Sequence, residues 1–307
     1  MAPSFFQPEE AAVCVMDASG SLGSSLVHRL LKRGYFVHAA VQNLGDVQQL
    51  KSAFPGEEKL KTFHCDLFDY QSITDALRGC SGLFYTFEPP KYQPEYDEFM
   101  ADVEVRAAHN VLEACAQIDT IDKVVFTSSA TAVVWRNDRI PDSPSFDERN
   151  WSDIGLCRNF KLWHALSKTL AERTAWALAM DRNVSMVSVN AGLILTADLS
   201  INHPYLKGAA EMYDGGVLVT IDLDFLVNAH ICVFEDIASY GRYLCFNQAI
   251  CTEEQAIELA KMLTRGVPST GPPKYDHDKK MIEQRIGNKK LNKLMVECGM
   301  SGGKVED

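Results

Sequence analysis

The sequence predicts an α/β fold built on a doubly wound, mainly parallel β-sheet, with a smaller lobe in the C-terminal part. Three observations indicate it: short apolar strands alternate with helical stretches, a glycine-containing turn follows the first strand, and the alternation loosens beyond about residue 196. Parallel strands joined by helices cover both faces of such a sheet. We expect a core over 1–195 and a lobe mainly over 196–307, with some segments returning to the core.

The elements follow in order along the chain. Strands are predicted at AAVCVMD, YFVHAAVQ, LKTFHCDL, SGLFYTF, KVVFTSSA, NVSMVSVNAGLIL and GRYLCFN. Helices are predicted from about Ser24 to Arg33, at VQQLKSAF, YQSITDALRG, VEVRAAHNVLEACAQ and FLVNAHICVFED, and in a long segment that contains KLWHALSK. In open α/β sheets, ligands bind in a cleft at the carboxyl ends of the strands.

Composition narrows the functional classes. The 307 residues are 46% hydrophobic and 23% charged, and their net charge of −11 argues against general binding to nucleic acid or anionic membranes. The nine cysteines show neither CxxC nor metal-ligand spacing, so we expect no metal site, buried free thiols and a reducing compartment. The first residues lack a secretory pattern and no apolar run reaches membrane-spanning length, so a cytoplasmic location is expected.

The turn DASGSLGSS follows the first strand and precedes a helix. Gly20 and Gly23 occupy the second and third places of a G-x-x-G-x-x-G pattern, while Asp17 occupies the first. Glycines there let backbone amides approach a pyrophosphate at a helix N-terminus. The turn therefore predicts a dinucleotide site in a Rossmann-type core. The Asp17 carboxylate either points at the phosphates or caps the helix, and the sequence leaves both open.

Two further positions bear on the cofactor. The second strand ends at Gln42, where a dinucleotide site usually has an acid for the ribose hydroxyls or an arginine for a 2′-phosphate. NADP is expected, NAD stays possible, and weakened binding is possible with either because of Asp17 and Gln42. Asp66 ends the third strand, where it either accepts a hydrogen bond from the adenine amino group or caps the following helix.

The order of several motifs resembles a known family. The glycine turn is followed by CDLFD, NVLEAC, KVVFTSS, NWSD, LSKTLAE and GRYLC at the expected separations, over about Ala12 to Cys298. The chain resembles the extended short-chain dehydrogenases/reductases and, among them, the plant cinnamoyl-CoA reductase and dihydroflavonol reductase group. The resemblance implies a Rossmann fold and hydride transfer from a nicotinamide to a carbonyl.

The resemblance also implies site residues. Ser129 matches the catalytic serine and Lys168 the lysine of the Y-x-x-x-K motif, while His164 stands at the tyrosine position. The positions implied for cofactor binding are Ser19, Gly20, Ser21, Leu22, Gly23, Gln42, Asp66, Leu67, Thr86, Lys168, Gly192 and Leu193. Ala191 also differs from the family pattern, because relatives commonly have proline at this position. The segment HPYLKG (203–208) is predicted to line the pocket or to form a surface loop.

Histidine can replace tyrosine in principle. A free imidazole has a pKa of about 6.5, so it can give up a proton near neutrality. Lys168 one turn away and partial burial disfavour the imidazolium, and the ring is shorter than a phenol. The alternative is that His164 merely fills space in a site that is no longer catalytic.

Three functions follow from these residues. The first is an NAD(P)H-dependent reductase that converts an aromatic acyl-CoA (cinnamoyl- or benzoyl-type) or a related carbonyl compound to the aldehyde or alcohol. The second is a non-catalytic or half-catalytic subunit that pairs with an active reductase. The third is a nucleotide-responsive regulatory protein. Because the serine and the lysine are both present, we expect the reductase.

Overall fold

The computed structural model describes residues 12–87, 96–136, 146–264 and 281–299. The strands are β1 Ala12–Met16, β2 Phe36–Val41, β3 Leu60–His64, β4 Gly82–Tyr85, β5 Lys123–Ser129, β6 Met186–Ala191, β7 Leu193–Leu195, β8 Val219–Asp222, β9 Gly241–Cys245 and β10 Gln248–Ala249. The helices are α1 Ser21–Lys32, α2 Leu44–Ala53, α3 Tyr70–Leu77, α4 Glu98–Cys115, α5 Thr131–Val134, α6 Ile154–Asn159, α7 Trp163–Arg182, α8 Ala209–Asp214, α9 Leu223–Glu235, α10 Glu253–Leu263 and α11 Lys289–Glu297. A short 3-10 helix spans Pro204–Leu206.

The main sheet has seven strands in the order β3-β2-β1-β4-β5-β6-β9, and neighbouring strands are parallel. The chain runs outward from β1 to β3 and then returns to place β4 on the other side of β1. This reversal lies between β1 and β4, where the carboxyl ends of the strands open towards a ligand. The predicted doubly wound α/β fold is confirmed.

Helices cover both faces of this sheet. One apolar cluster joins α1, α9 and α11 to the sheet, and a second joins α3, α4 and α7 to the opposite face. The central strands β1, β4 and β5 are therefore buried on both sides, which explains their nearly continuous apolar sequences. No helix among the described residues is long and apolar enough to cross a membrane.

The strand predicted at NVSMVSVNAGLIL is divided in the structure. β6 ends at Ala191 in the main sheet, whereas β7 begins at Leu193 and pairs with β8 in a three-stranded sheet of order β10-β8-β7. Between them lies Gly192, where an added Cβ would come within 3.0 Å of the Val219 carbonyl oxygen. The close approach of two backbones thus requires glycine at the point where the chain changes sheets. The domain boundary after residue 195 stays a prediction.

A buried carboxylate attaches α7 to the sheet. Glu172 accepts hydrogen bonds from Ser128 of β5, from Ser188 and Asn190 of β6, and from the guanidinium of Arg242 in β9. Its side chain is fully buried, and an ionised group there is tolerated only when it is paired and hydrogen-bonded. One residue of α7 therefore fixes the helix against three neighbouring strands.

The expectation of free thiols is wrong for one pair of cysteines. Cys232 of α9 and Cys298, directly after α11, form a disulfide with their Cα atoms 6.2 Å apart. The two cysteines meet because α11 packs against α9, a contact between segments 66 residues apart that cysteine spacing does not reveal. The other seven cysteines are free, and six of these are buried.

Candidate active site

A cavity of about 310 Å³ lies at the carboxyl ends of the central strands. The predicted site residues that line it are Ser21, Leu22, Thr86, Ser129, His164, Lys168, Gly192 and Leu193. They come from the turn after β1, the ends of β4 and β5, helix α7 and the link between the two sheets. The fold therefore brings the predicted phosphate turn and the three predicted catalytic side chains to one place.

The turn between β1 and α1 fits an anionic ligand. Helix α1 begins at Ser21, its N-cap Gly20 supplies no side-chain hydrogen bond, and its first turn holds no acidic residue. Uncapped amides at a helix N-terminus favour phosphate. A Cβ on Gly23 would lie 2.3 Å from the Asp17 carbonyl oxygen, so this position needs glycine for the turn to close. Ser19 lies within the same turn.

Asp17 stands where the motif has its first glycine, and its backbone adopts a conformation that favours glycine. Its φ of 63° lies in the left-handed region, which aspartate tolerates better than most side chains. The side chain is buried. Burial, then Glu104, then Asp17 raise the pKa of the Tyr85 phenol. The N-cap of α1 is Gly20. Asp17 is 5% exposed, so its carboxylate is a buried group of the turn.

The predicted adenine-side residues lie outside the cavity. The Asp66 carboxylate accepts a hydrogen bond from the Phe68 amide at 2.9 Å, and Asp69 rather than Asp66 caps α3. Leu67 is buried in the core, and its carbonyl accepts a hydrogen bond from Asn110. Gln42 is half-buried immediately after β2 and contributes no charge. A binding role for Gln42, Asp66 and Leu67 stays a prediction.

Ser129 and His164 are joined through a third side chain. The Thr131 hydroxyl lies 3.0 Å from Ser129 Oγ and 3.1 Å from His164 Nδ1. Ser129 ends β5 and Thr131 begins α5, so the sheet and the helix that follows it position both hydroxyls. Thr131 is not among the residues predicted from the sequence, although it lies two residues after Ser129 in the motif TSSAT.

His164 is in its neutral form near neutrality. Burial, then the Lys168 ammonium, then His203 hold the pKa of its imidazole well below the usual value. The ring packs edge-on against Tyr96, with the centroids 5.6 Å apart, and lies 5.9 Å from the ring of Tyr205. His203 and Tyr205 line the cavity, so the segment HPYLKG contributes to the pocket.

Lys168 is paired with a buried glutamate that the sequence analysis missed. Its Nζ lies 2.6 Å from Oε1 of Glu104, whose side chain is 1% exposed. The hydroxyls of Tyr96 and Ser167 donate to the other carboxylate oxygen. A pattern in α4 could have revealed Glu104, because it interrupts a buried stripe of small and apolar residues at helical spacing. An acid on such a stripe indicates a buried partner.

The side chains in and around the cavity are of the types that acid–base catalysis uses. Ser129 and Thr131 supply hydroxyl donors, His164 supplies a titratable ring, and Lys168 supplies a cation whose charge Glu104 balances. Among the described residues, no three or more histidines, cysteines or acids are grouped to hold a metal ion. The cavity can thus hold a polarised oxygen beside a proton source.

We predict that Glu104→Gln lowers the free energy of unfolding by about 3–5 kcal/mol, because it leaves the Lys168 ammonium, whose side chain is only 11% exposed, without its counter-ion. Urea unfolding followed by circular dichroism measures the change. The matched control is Glu113→Gln, which breaks another α4–α7 ion pair, with Arg182, where both side chains are partly exposed. That loss should be about 0–1 kcal/mol. Equal losses in the two variants would contradict the assignment.

Comparisons with known proteins identify the family of the chain. A family model described as NmrA-like matches residues 9–150. Tetraketide alpha-pyrone reductase 1 from Arabidopsis thaliana is 33% identical over 93% of both chains, and cinnamoyl-CoA reductase 1 from Petunia hybrida is 33% identical over 93% of this chain and 87% of its own. The crystal structure of vestitone reductase from alfalfa (Medicago sativa L.) matches with a TM-score of 0.69 and 26% identity, covering 96% of this chain and 94% of that one. The chain therefore belongs to the extended short-chain dehydrogenase/reductase family of NAD(P)H-dependent oxidoreductases, in the group that contains the plant cinnamoyl-CoA reductases and dihydroflavonol reductases.

Proposed function

We propose that this protein reduces an aromatic acyl-CoA of the cinnamoyl or benzoyl type, or a related carbonyl compound, to the aldehyde or alcohol, with NADPH as its preferred reductant. The observation that carries the proposal is the single cavity that brings Ser129, His164 and Lys168 next to the glycine turn. Three aromatic side chains, Phe87, Tyr96 and Tyr205, line the same cavity and suit an aromatic substrate.

A nicotinamide cofactor in this cavity would supply the hydride for the carbonyl carbon. The residues of the protein would stabilise the negative charge that develops on the carbonyl oxygen. Ser129 donates a hydrogen bond to this oxygen, which stabilises the anion. The Lys168 ammonium lies over the ring of Phe87, two residues after the end of β4. In this position it binds the ribose hydroxyls. The amides at the start of α1, together with Thr86, Gly192 and Leu193, hold the phosphates and the nicotinamide.

His164 is the proton source in this proposal. Its neutral form holds only one ring proton, and the imidazolium is the form that can release a proton to an alkoxide. Because its pKa lies well below the ordinary value, the imidazolium is the minor form at neutral pH and its fraction rises as the pH falls. The reaction therefore runs faster in mildly acidic solution.

We predict that His164→Phe lowers kcat/KM by about a hundredfold or more, since general acid catalysis contributes roughly 10²–10⁴-fold. His164→Tyr restores or raises turnover, because the phenol reaches further. Between pH 8 and pH 6 the wild-type kcat/KM rises by up to about tenfold per pH unit, whereas His164→Phe shows no such slope. The rate of NADPH oxidation with a panel of aromatic acyl-CoAs gives kcat/KM for the wild type and both variants, with enzyme-free blanks at each pH. Equal rates for the two variants would exclude proton donation by this residue.

We predict that Asp17→Asn and Asp17→Gly both lower the dissociation constant of NADPH by about threefold to tenfold, because each removes a buried carboxylate from the glycine turn that would hold the phosphates. Fluorescence titration with NADPH measures the constants. Asparagine keeps the size of the side chain and tolerates the left-handed backbone, so it separates charge from conformation. Tighter NADPH binding in Asp17→Gly but not in Asp17→Asn would show that the effect comes from the backbone. An unchanged dissociation constant in both variants would show that the carboxylate does not act on the phosphates.

One observation favours the second candidate function, a subunit that pairs with an active reductase. The Lys168 ammonium is already bound by Glu104, which reduces its influence on other groups in the cavity. Such a subunit would show no turnover alone but would raise the rate of a catalytically active relative when mixed with it. Turnover by the purified chain alone, lost in His164→Phe, rules this candidate out.

A further inference from the structure

The histidine at position 164 has a shorter side chain than the tyrosine that the motif has there. An imidazole is shorter than a phenol, so a ring nitrogen on α7 falls short of the position that a tyrosine hydroxyl would occupy. Misplacement by about 1 Å can cost a hundredfold in rate. A group that bridges the missing distance is therefore needed if His164 acts on the substrate oxygen.

Thr131 occupies the space between His164 and Ser129. Its hydroxyl lies within hydrogen-bond distance of both, at 3.1 Å from Nδ1 and 3.0 Å from Oγ. The residue is 2% exposed, and its carbonyl oxygen accepts a hydrogen bond from Ser152 at 2.7 Å. The surrounding structure holds the hydroxyl in this position, so it is a fixed part of the site.

The hydrogen bonds have a defined direction. Ser129 Oγ accepts from both the amide and the hydroxyl of Thr131, which leaves the serine's own proton free to point into the cavity. Because the Thr131 hydroxyl donates to Ser129, it accepts from His164 Nδ1–H. The chain of donors therefore runs from His164 through Thr131 and Ser129 to the place of the substrate oxygen.

We infer that Thr131 is a positioning residue of the reaction, whose hydroxyl links His164 to Ser129 and passes the proton that the substrate oxygen receives. The inference rests on the reductase function proposed above. Ser129 gives its Oγ proton to the new alkoxide, Thr131 replaces it, and the Nδ1 proton of the imidazolium replaces that of Thr131. The imidazolium becomes neutral imidazole and is reprotonated from water, while the hydride comes from NADPH.

Several polar groups face His164 from neighbouring elements. Lys168 lies on the same helix, Tyr96 precedes α4, and His203 and Tyr205 belong to the segment around the 3-10 helix. These groups act on the imidazole through ring contacts or charge, whereas Thr131 makes a hydrogen bond to its Nδ1. The tautomer of His164 is therefore set by Thr131.

The first test is independent of activity. Nitrogen-15 NMR of the imidazole reports which ring nitrogen holds the proton, and the resonance missing in His164→Phe identifies this one among the eight histidines. We expect the Nδ1–H tautomer in the wild type and in Thr131→Ser, and a shift towards Nε2–H in Thr131→Val, which has no hydroxyl. An Nε2–H tautomer in the wild type would overturn the inference.

The second test measures turnover. Thr131→Val should lower kcat by about tenfold to a hundredfold and remove the rise in rate with acid, whereas Thr131→Ser should restore both. In the His164→Phe background, Thr131→Val should have no further effect, because the link has already lost its proton source. Equal losses in both backgrounds, or an unchanged pH profile in Thr131→Val, would overturn the inference.

Control variants distinguish a lost Thr131 hydroxyl from a folding defect. The tautomer measurement distinguishes failure of this inference from failure of the proposed function. Thr169→Val removes another buried hydroxyl, which donates to the Ala165 carbonyl within α7, and should not change kcat or its pH profile. If Thr131→Val does not fold, Thr131→Ala and Thr131→Ser provide the same comparison. A wild type without any NADPH-dependent turnover would refute the reductase function, while the tautomer would still decide whether Thr131 and His164 are linked.

Discussion

The site depends on one buried carboxylate, Glu172, which holds helix α7 against the sheet. It pairs with Arg242 and accepts hydrogen bonds from two neighbouring strands, and removing one partner of such a buried pair typically costs about 3–5 kcal/mol. His164 and Lys168 precede Glu172 on the same face of α7, two turns and one turn away. The contacts that fix Glu172 therefore also fix the distance from His164 and Lys168 to Ser129 at the end of β5. Precise placement matters because proton transfer requires hydrogen-bond geometry.

A second buried carboxylate sets the charge of the site. Glu104 balances Lys168, so the cavity holds an ion pair rather than an isolated cation. The ammonium still acts on His164, whose pKa is lowered first by burial and then by Lys168. The arrangement answers why an imidazole is tolerated beside an ammonium: the ring is neutral at ordinary pH, and its Nδ1 has a partner in Thr131. The same arrangement makes acidity the condition under which His164 can release a proton.

The fold and many of the residues that line the cavity could be predicted from the sequence, because the relevant patterns are local. Alternating strands and helices indicated the parallel sheet, and short motifs located the glycine turn, Ser129 and Lys168. The apolar surroundings of Glu104 in α4 mark it as a buried acid, but they do not identify its partner Lys168, which lies 64 residues away. The contact between Cys232 and Cys298, 66 residues apart, leaves no local pattern. The role of the Thr131 hydroxyl likewise becomes visible only when α5 and α7 are packed together. Long-range contacts between side chains are what the sequence could not supply.

The most direct test of the account is the transfer of deuterium from NADPH labelled at C4 of the nicotinamide. The purified protein is incubated with each of the two labelled stereoisomers and with aromatic acyl-CoA and carbonyl substrates, and the products are examined by mass spectrometry. The account predicts label in the aldehyde or alcohol from one stereoisomer only, since a single fixed site presents one face of the ring to the substrate. Absence of label in every product, or equal transfer from both stereoisomers, would contradict it.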